Sequence, residues 1–445
     1  MGLLRRIGAQ PAESPEGGLG FDVRPSRPLP VTIILVASAS VAAAAFAHFF
    51  KEFAQLMLEW YGDSRDATAS AASLPRLVVF VVVTGSVILA AALGRYAQRN
   101  WSQHVGVEAV AASARGEGRS ISLRATMVQS LATWTVFSGM VSIGRESAII
   151  ETGGAVGAVL GRKSGGRGDA LAVAGIAAAF AAAYHAPIAA VFYVEETLRV
   201  RASRRAVTFG VAGAAVGYAT SIWLLGGGTI FPPLQGSQWK MIELALIGLV
   251  PAVLVAHGFL YVRARVRGGA LVRRLGRRAW IGVVALAAVA GVAVAYFPLA
   301  AGNGMDALRQ ASVGATVTLA LALTVGKLIG TTAALGAGAP GGVLTPTISI
   351  TSGTVLLILL AAESFGLGLQ HPWDAMVAAM AVGVAVGLRS PFVAVFLLPE
   401  MLGDYSLVPA IALIVALAMV VDRGVDRLVE RFGSAVPERV FDEDA

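Results

Sequence analysis

What most constrains this chain is a series of apolar runs about as long as a lipid bilayer is thick. Residues 31–50, 76–95, 206–225, 241–262, 279–297 and 315–337 are such runs. Each reaches the roughly 20 residues that span a hydrocarbon core as a helix. Backbone in lipid must satisfy its own hydrogen bonds, so runs of this length predict helices. A β-barrel would show short alternating segments instead. Only 14% of the 445 residues are charged and the mean hydropathy is +0.73. Soluble domains carry roughly 25% charged residues, so this chain has too little polar surface to cover a globule in water. The fold class predicted is an all-α polytopic membrane protein.

The net charge of +8 raises the question of nucleic acid, and the distribution of the charge argues against it. Basic residues gather in short connections: Arg162, Lys163 and Arg167; Arg199, Arg201, Arg204 and Arg205; and residues 263–278, which hold seven arginines. That is the positive-inside pattern of a membrane protein. The connections "GDSRDATASAAS" (62–73) and "GGGTIFPPLQGSQ" (226–238) carry little positive charge and belong on the outer face. Residues 1–29 are polar, Gly/Pro-rich and basic, without the apolar core of a signal peptide; they are expected to form a disordered cytoplasmic tail. A single membrane domain is expected over 30–425 and a C-terminal tail over 426–445. Both termini are expected in the cytoplasm, in a multi-pass protein of the cell's inner (plasma) membrane. There is no cysteine, and the five histidines show no metal-ligand spacing.

The membrane domain contains a repeat, with halves at about 30–225 and 238–425. "HAPIAAVFYVEET" (185–197) matches "RSPFVAVFLLPEM" (389–401), with Pro187 over Pro391, Phe192 over Phe396 and Glu196 over Glu400. Upstream, "GRESA" (144–148) pairs with "GVLTP" (342–346) at a nearly matching offset. Two repeats of Gly/Pro-interrupted apolar segments are a transporter signature. A helix that starts partway through the bilayer presents free N–H groups and the positive end of its dipole, and such an end binds anions. Glycines at 144, 153, 154, 338, 341 and 342 allow backbone to approach a ligand closely. Taken alone they fit tight helix–helix packing equally well.

These stretches resemble the CLC family of chloride channels and chloride/proton antiporters. "GRESA" resembles its Gly-Arg/Lys-Glu-Gly-Pro motif, and "GAPGGVLTP" (338–346) its Gly-X-Phe-X-Pro motif with the usual "GAPGG" before it. "AAAYHAPIAAVFYVEE" resembles the family's "AAAFNAPLAGILF…EE". The resemblance implies an inverted-repeat fold of broken, tilted helices aimed at a central anion, and a homodimer with one pore per subunit. It implies that Glu146 is the gating carboxylate, which occupies an anion site and leaves it when protonated or displaced. Backbone amides of Val343 and Leu344 are implied to hold the anion, with Gly144, Arg145 and Ser147 around it. Arg145 is also read as a structural charge. Bound chloride, and no cofactor, is the implied content of the site.

The sequence departs from the family in four places. The inner serine motif aligns with "QHVGVEA" (103–109), which puts His104 at the serine, or Ser102 after a shift of two residues. The C-terminal tyrosine ligand has no counterpart in "DRGVDRLVERF" (422–432); Tyr405 lies too early and reads as an interfacial aromatic. The internal proton-relay position, ten residues after Pro187, is Thr197, with Glu196 beside it. A threonine orders water but holds no proton at neutral pH. Finally, Ser147-Ala148 replaces Gly-Pro, and Leu344 replaces the phenylalanine. The leading expectation is chloride transport coupled to protons through Glu146. The alternative is a passive channel permeable to chloride or fluoride. A membrane enzyme finds no support: no GXSXG, HEXXH or P-loop is present. A non-transporting anion sensor would bind chloride without flux.

Overall fold

In the computed structural model, the described residues are 28–101, 105–117, 121–163, 168–201, 203–266, 269–366 and 371–431. Among them the chain is helical throughout, with one isolated β-bridge between Gly144 and Gly342. The first half runs through α1 (Leu29–Gly62), α2 (Ala67–Ser73), α3 (Arg76–Trp101), α4 (Val107–Ala114), α5 (Leu123–Ser138), α6 (Glu146–Lys163), α7 (Asp169–Tyr184), α8 (Pro187–Phe192) and α9 (Arg204–Leu225). The second runs through α10 (Gln238–Val266), α11 (Ala270–Arg273), α12 (Ala279–Tyr296), α13 (Met305–Val313), α14 (Val317–Leu321), α15 (Lys327–Ala337), α16 (Leu344–Ser364), α17 (Pro372–Gly387), α18 (Pro391–Leu402) and α19 (Val408–Arg431).

Eight helical stretches among these residues are long and apolar enough to cross a membrane. The six apolar runs of the sequence fall on α1, α3, α9, α10, α12 and α14–α15. α1 has 34 residues, about 51 Å of helix, more than an upright span needs. The last helix continues without a break to Arg431, past the boundary expected at 425.

Two 16-residue helices form the buried centre. Nearly every residue of α7 and of α17 is buried, and neither is long enough to span lipid alone. α7 packs against α1, α6 and α9; α17 packs against α10, α16 and α19. The first packing is close because the residues are small: a Cβ placed on Gly153 would stand 2.5 Å from the Gly175 carbonyl oxygen.

After each central helix the chain reverses at a residue with a left-handed backbone, His185 and Arg389, both at φ 53°. A proline then starts a short helix, α8 at Pro187 and α18 at Pro391. Proline suits this first position, since its missing N–H has no intrahelical acceptor there. The segment after α8, Tyr193–Thr197, widens into a π-turn.

Candidate functional site

The site is built where α6 and α16 begin. Both helices start in the protein interior, and the Gly144–Gly342 bridge ties their entry segments together. Gly144 N donates to Gly342 O at 2.9 Å, and Gly342 N donates to Gly144 O at 2.7 Å. So the two short motifs that pair in sequence, "GRESA" and "GVLTP", meet in space. A Cβ on either of these glycines would run into the Glu146 carboxylate, which is why neither position carries a side chain.

Glu146 is the first residue of α6 and is 6% exposed. A carboxylate in the first turn of a helix is ordinarily stabilised by that helix's own start. Instead Oε1 serves the facing one: it accepts from Thr345 N at 3.3 Å and from the Thr345 hydroxyl. The bridge brings the two helix starts within reach, and helix side chains lean toward the N-terminus, away from their own helix. α16 needs this partner, because its N-cap residue Val343 supplies no side-chain hydrogen bond. The amides of Val343 and Leu344 lie at the same helix start and have no acceptor within the helix. Oε2 of Glu146 is buried, and the Tyr184 hydroxyl interacts with the same carboxylate.

The other charges lie around this carboxylate. Arg145 places its guanidinium over the Phe137 ring, 5.3 Å from the centroid. It faces Lys51, Asp306 and Arg309; the last two line an open depression with Asp66 and Gln310. Lys327 is fully buried and within electrostatic reach of Glu146. Its Nζ donates to the carbonyls of Ala300 at 2.9 Å and Gly302 at 2.7 Å. Ser147 Oγ is buried and has no partner among the described residues.

Two tyrosines close the site from the side of α7 and α8. Tyr184 and Tyr193 both lie within electrostatic reach of Glu146. Both rings pack on Phe180, at centroid distances of 4.8 and 4.5 Å, in one core cluster with Leu344. Sequence reasoning missed Thr345, Lys327 and both tyrosines. The signal for Tyr184 was present: it stands where the family's "AAAFNAP" has phenylalanine.

The proposed relay residues lie elsewhere. Thr197 is buried, and its hydroxyl pairs with Ser390 Oγ at 2.8 Å. Glu196 holds the start of α18, accepting from Phe392 N at 3.0 Å and Val393 N at 2.8 Å. Glu400 does the same for α8, accepting from Ile188 N and Ala189 N, both at 2.9 Å. Each repeat thus caps the other's proline-initiated helix. Tyr405 is half exposed and donates to Glu400 Oε1 at 3.0 Å, far from any role as a C-terminal tyrosine ligand. Ser102 and His104 lie outside the described residues.

Helix starts that meet inside a bundle of membrane-spanning helices, with a buried carboxylate lodged at their junction, define a membrane transport protein rather than an enzyme. The family described as "Voltage gated chloride channel" matches residues 86–423, and the chain belongs to that family. The H(+)/Cl(-) exchange transporter ClcA of Cronobacter sakazakii is 25% identical over 411 residues, covering 85% of this chain and 84% of that protein. The voltage-gated ClC-type chloride channel ClcB of Citrobacter koseri is 25% identical over 414 residues, covering 89% and 96%. Among solved structures, a slow cyanobacterial Cl−/H+ antiporter superposes with a TM-score of 0.73 at 20% identity, over 91% of this chain and 99% of that one. A CLC-type fluoride/proton antiporter superposes with a TM-score of 0.68 at 21% identity, over 89% and 96%. These structural matches establish the fold, an all-α polytopic membrane protein of the CLC type.

Proposed function

We propose that this protein exchanges chloride for protons across the membrane, with Glu146 as the gate. One observation carries the reading: the buried Glu146 carboxylate occupies the start of α16 through Oε1. A carboxylate in that position competes with an anion for the same amides. Protonated, it loses its attraction for the helix start and leaves the amides of Val343 and Leu344 to chloride. Gly144 lets the backbone come close, and Arg145 and Ser147 add a charge and a hydroxyl beside the path. His104 is the proposed ligand of the inner end. Thr197 is a polar station without a proton of its own to give.

The relatives named as exchange transporters support coupling of chloride to protons over passive conduction. Bound chloride is the proposed content of the site, with no organic cofactor and no nucleic-acid partner. The protein works as a homodimer in the inner membrane, with both termini cytoplasmic. The basic ends of α6 (Arg162, Lys163) and α10 (Arg263, Arg265) support that orientation.

The test is chloride and fluoride efflux from liposomes with pH recorded on the same sample. Wild type is expected to drive protons uphill on a chloride gradient. Glu146→Ala is expected to conduct chloride with no proton movement and no pH dependence. Unchanged rate, pH dependence and coupling in Glu146→Ala would remove Glu146 from the gate.

A further inference from the structure

A proton that reaches Glu146 from outside must still cross the inner half of the membrane. Thr197 does not hold it, and Glu196 and Glu400 each commit both oxygens to backbone amides. Another carboxylate lies on the gate's own helix. Glu151 in α6 is 1% exposed. Five residues separate it from Glu146, a rise of about 7.5 Å toward the basic end of the helix. Its Oε1 accepts from Gly106 N at 2.9 Å, at the start of α4, and the Thr126 hydroxyl of α5 lies beside it.

No cation among the described residues acts on this acid. α6 packs against α1, α4, α5 and α7. The titratable and charged groups on α1 are His48, Lys51, Glu52, Glu59 and Tyr61; α4 brings Glu108, α5 Arg124, and α7 Asp169 and Tyr184. None of them acts on Glu151 electrostatically. Glu108 is paired with Arg115 instead, and Asp169 binds the amide of Ala170 at 2.8 Å. An intramembrane carboxylate without a counter-ion is a functional group by default.

Its face of the helix also matters. Glu146 and Glu151 are about 140° apart around α6, so no direct hand-over is possible. Ser147 and Glu151 are four residues apart and share a face. Ser147 Oγ is the buried hydroxyl with no partner, next in the chain to Glu146. The same face meets Gly106 at the start of α4.

We propose that Glu151 is the inner proton-carrying carboxylate of the exchanger, an inference that rests on the exchange reading above. Cytoplasmic water protonates the Glu151 carboxylate to a carboxyl group. The proton passes along the Ser147 hydroxyl and water to the Glu146 carboxylate, and Glu151 returns to its anionic form. Glu146, now neutral, leaves α16 and gives the proton to water on the outer side, while chloride takes the opposite direction.

Glu151→Gln is the deciding variant, because glutamine keeps an acceptor for Gly106 N but holds no proton. Chloride efflux within about threefold of wild type is expected, with chloride-driven proton movement down at least about tenfold (over 1.4 kcal/mol). A merely structural cap would leave coupling intact, and wild-type proton-to-chloride ratios in Glu151→Gln would overturn the proposal. Should Glu151→Gln lose chloride flux as well, Glu151→Asp decides. A shifted pH profile of coupled transport then supports the proposal, and a wild-type profile overturns it. Wild-type protein that moves chloride without protons would fail the exchange reading itself, a result distinguishable from any behaviour of the variants.

Discussion

Thr345 shows how one side chain holds the proposed gate. Its hydroxyl and its amide both serve Oε1 of Glu146, so the carboxylate is held by two donors from the first turn of α16. A hydrogen bond to a charged group is worth about 1.5–3 kcal/mol. Thr345→Val keeps the shape and removes the hydroxyl. The carboxylate then competes less well with chloride, and turnover in liposomes at neutral pH is expected to rise about tenfold, matching roughly 1.4 kcal/mol. Equal turnover in the two proteins would mean that the hydroxyl does not hold the gate. At this scale the sequence was half legible. Glu146 stands out because a charge inside an apolar segment needs a reason. Thr345 does not, since a threonine in an apolar run costs little and signals little.

At the scale of elements, helices that start inside the protein borrow their caps from far away. α8, α16 and α18 have N-cap residues whose side chains make no capping bond. By contrast, the membrane-edge helices α5 and α9 are capped locally by Ser122 and Ser203. The internal starts take glutamates from elsewhere: Glu400 for α8, Glu146 for α16, Glu196 for α18. The exchange between α8 and α18 also stacks Phe192 on Phe392 and Phe396, so it locks the halves together. Glu196→Ala strands two amides and is expected to lower the Tm of the detergent-solubilised protein by a few degrees, from a loss of about 1–3 kcal/mol. Glu196→Gln, which keeps an acceptor, is expected to retain most of that stability and all proton coupling. Loss of coupling in Glu196→Gln would return Glu196 to the relay.

For the whole molecule, the outer surface is as apolar as lipid requires, and α9 shows it plainly. Val207 is 42% exposed, Val211 51% and Trp223 82%. Beside it, Ile188 of α8 and Phe392 of α18 are also open, so the cross-capped helices lie next to a continuous apolar face. In the proposed homodimer this face is expected to take the second copy, through small and aromatic side chains rather than by exclusion of water. Light scattering in mild detergent is expected to give a protein mass of two 45.6 kDa chains. Charges placed at Val211 or Phe392 are expected to halve it, and a single-chain mass for wild type would remove the dimer.

The sequence by itself determined the solvent and the interruption of the helices. Hydropathy, basic connections and Gly/Pro breaks act locally and survive in a one-dimensional reading. It also determined that Glu146 and Thr197 were the residues to examine, because charge and proton-holding capacity belong to the residue type. Only the tertiary structure decided which carboxylate serves which helix. Glu146 and Thr345 are 199 residues apart, and Glu196 and Val393 are 197 apart, and no local pattern encodes such a pairing. The same holds for Glu151, which in sequence is one acid in the first half of an apolar helix. It gains its meaning from burial beside Gly106, with no charge among the described residues acting on it. Buried charges take their roles from whatever partner the packing brings to them, and in this protein the packing brings backbone amides.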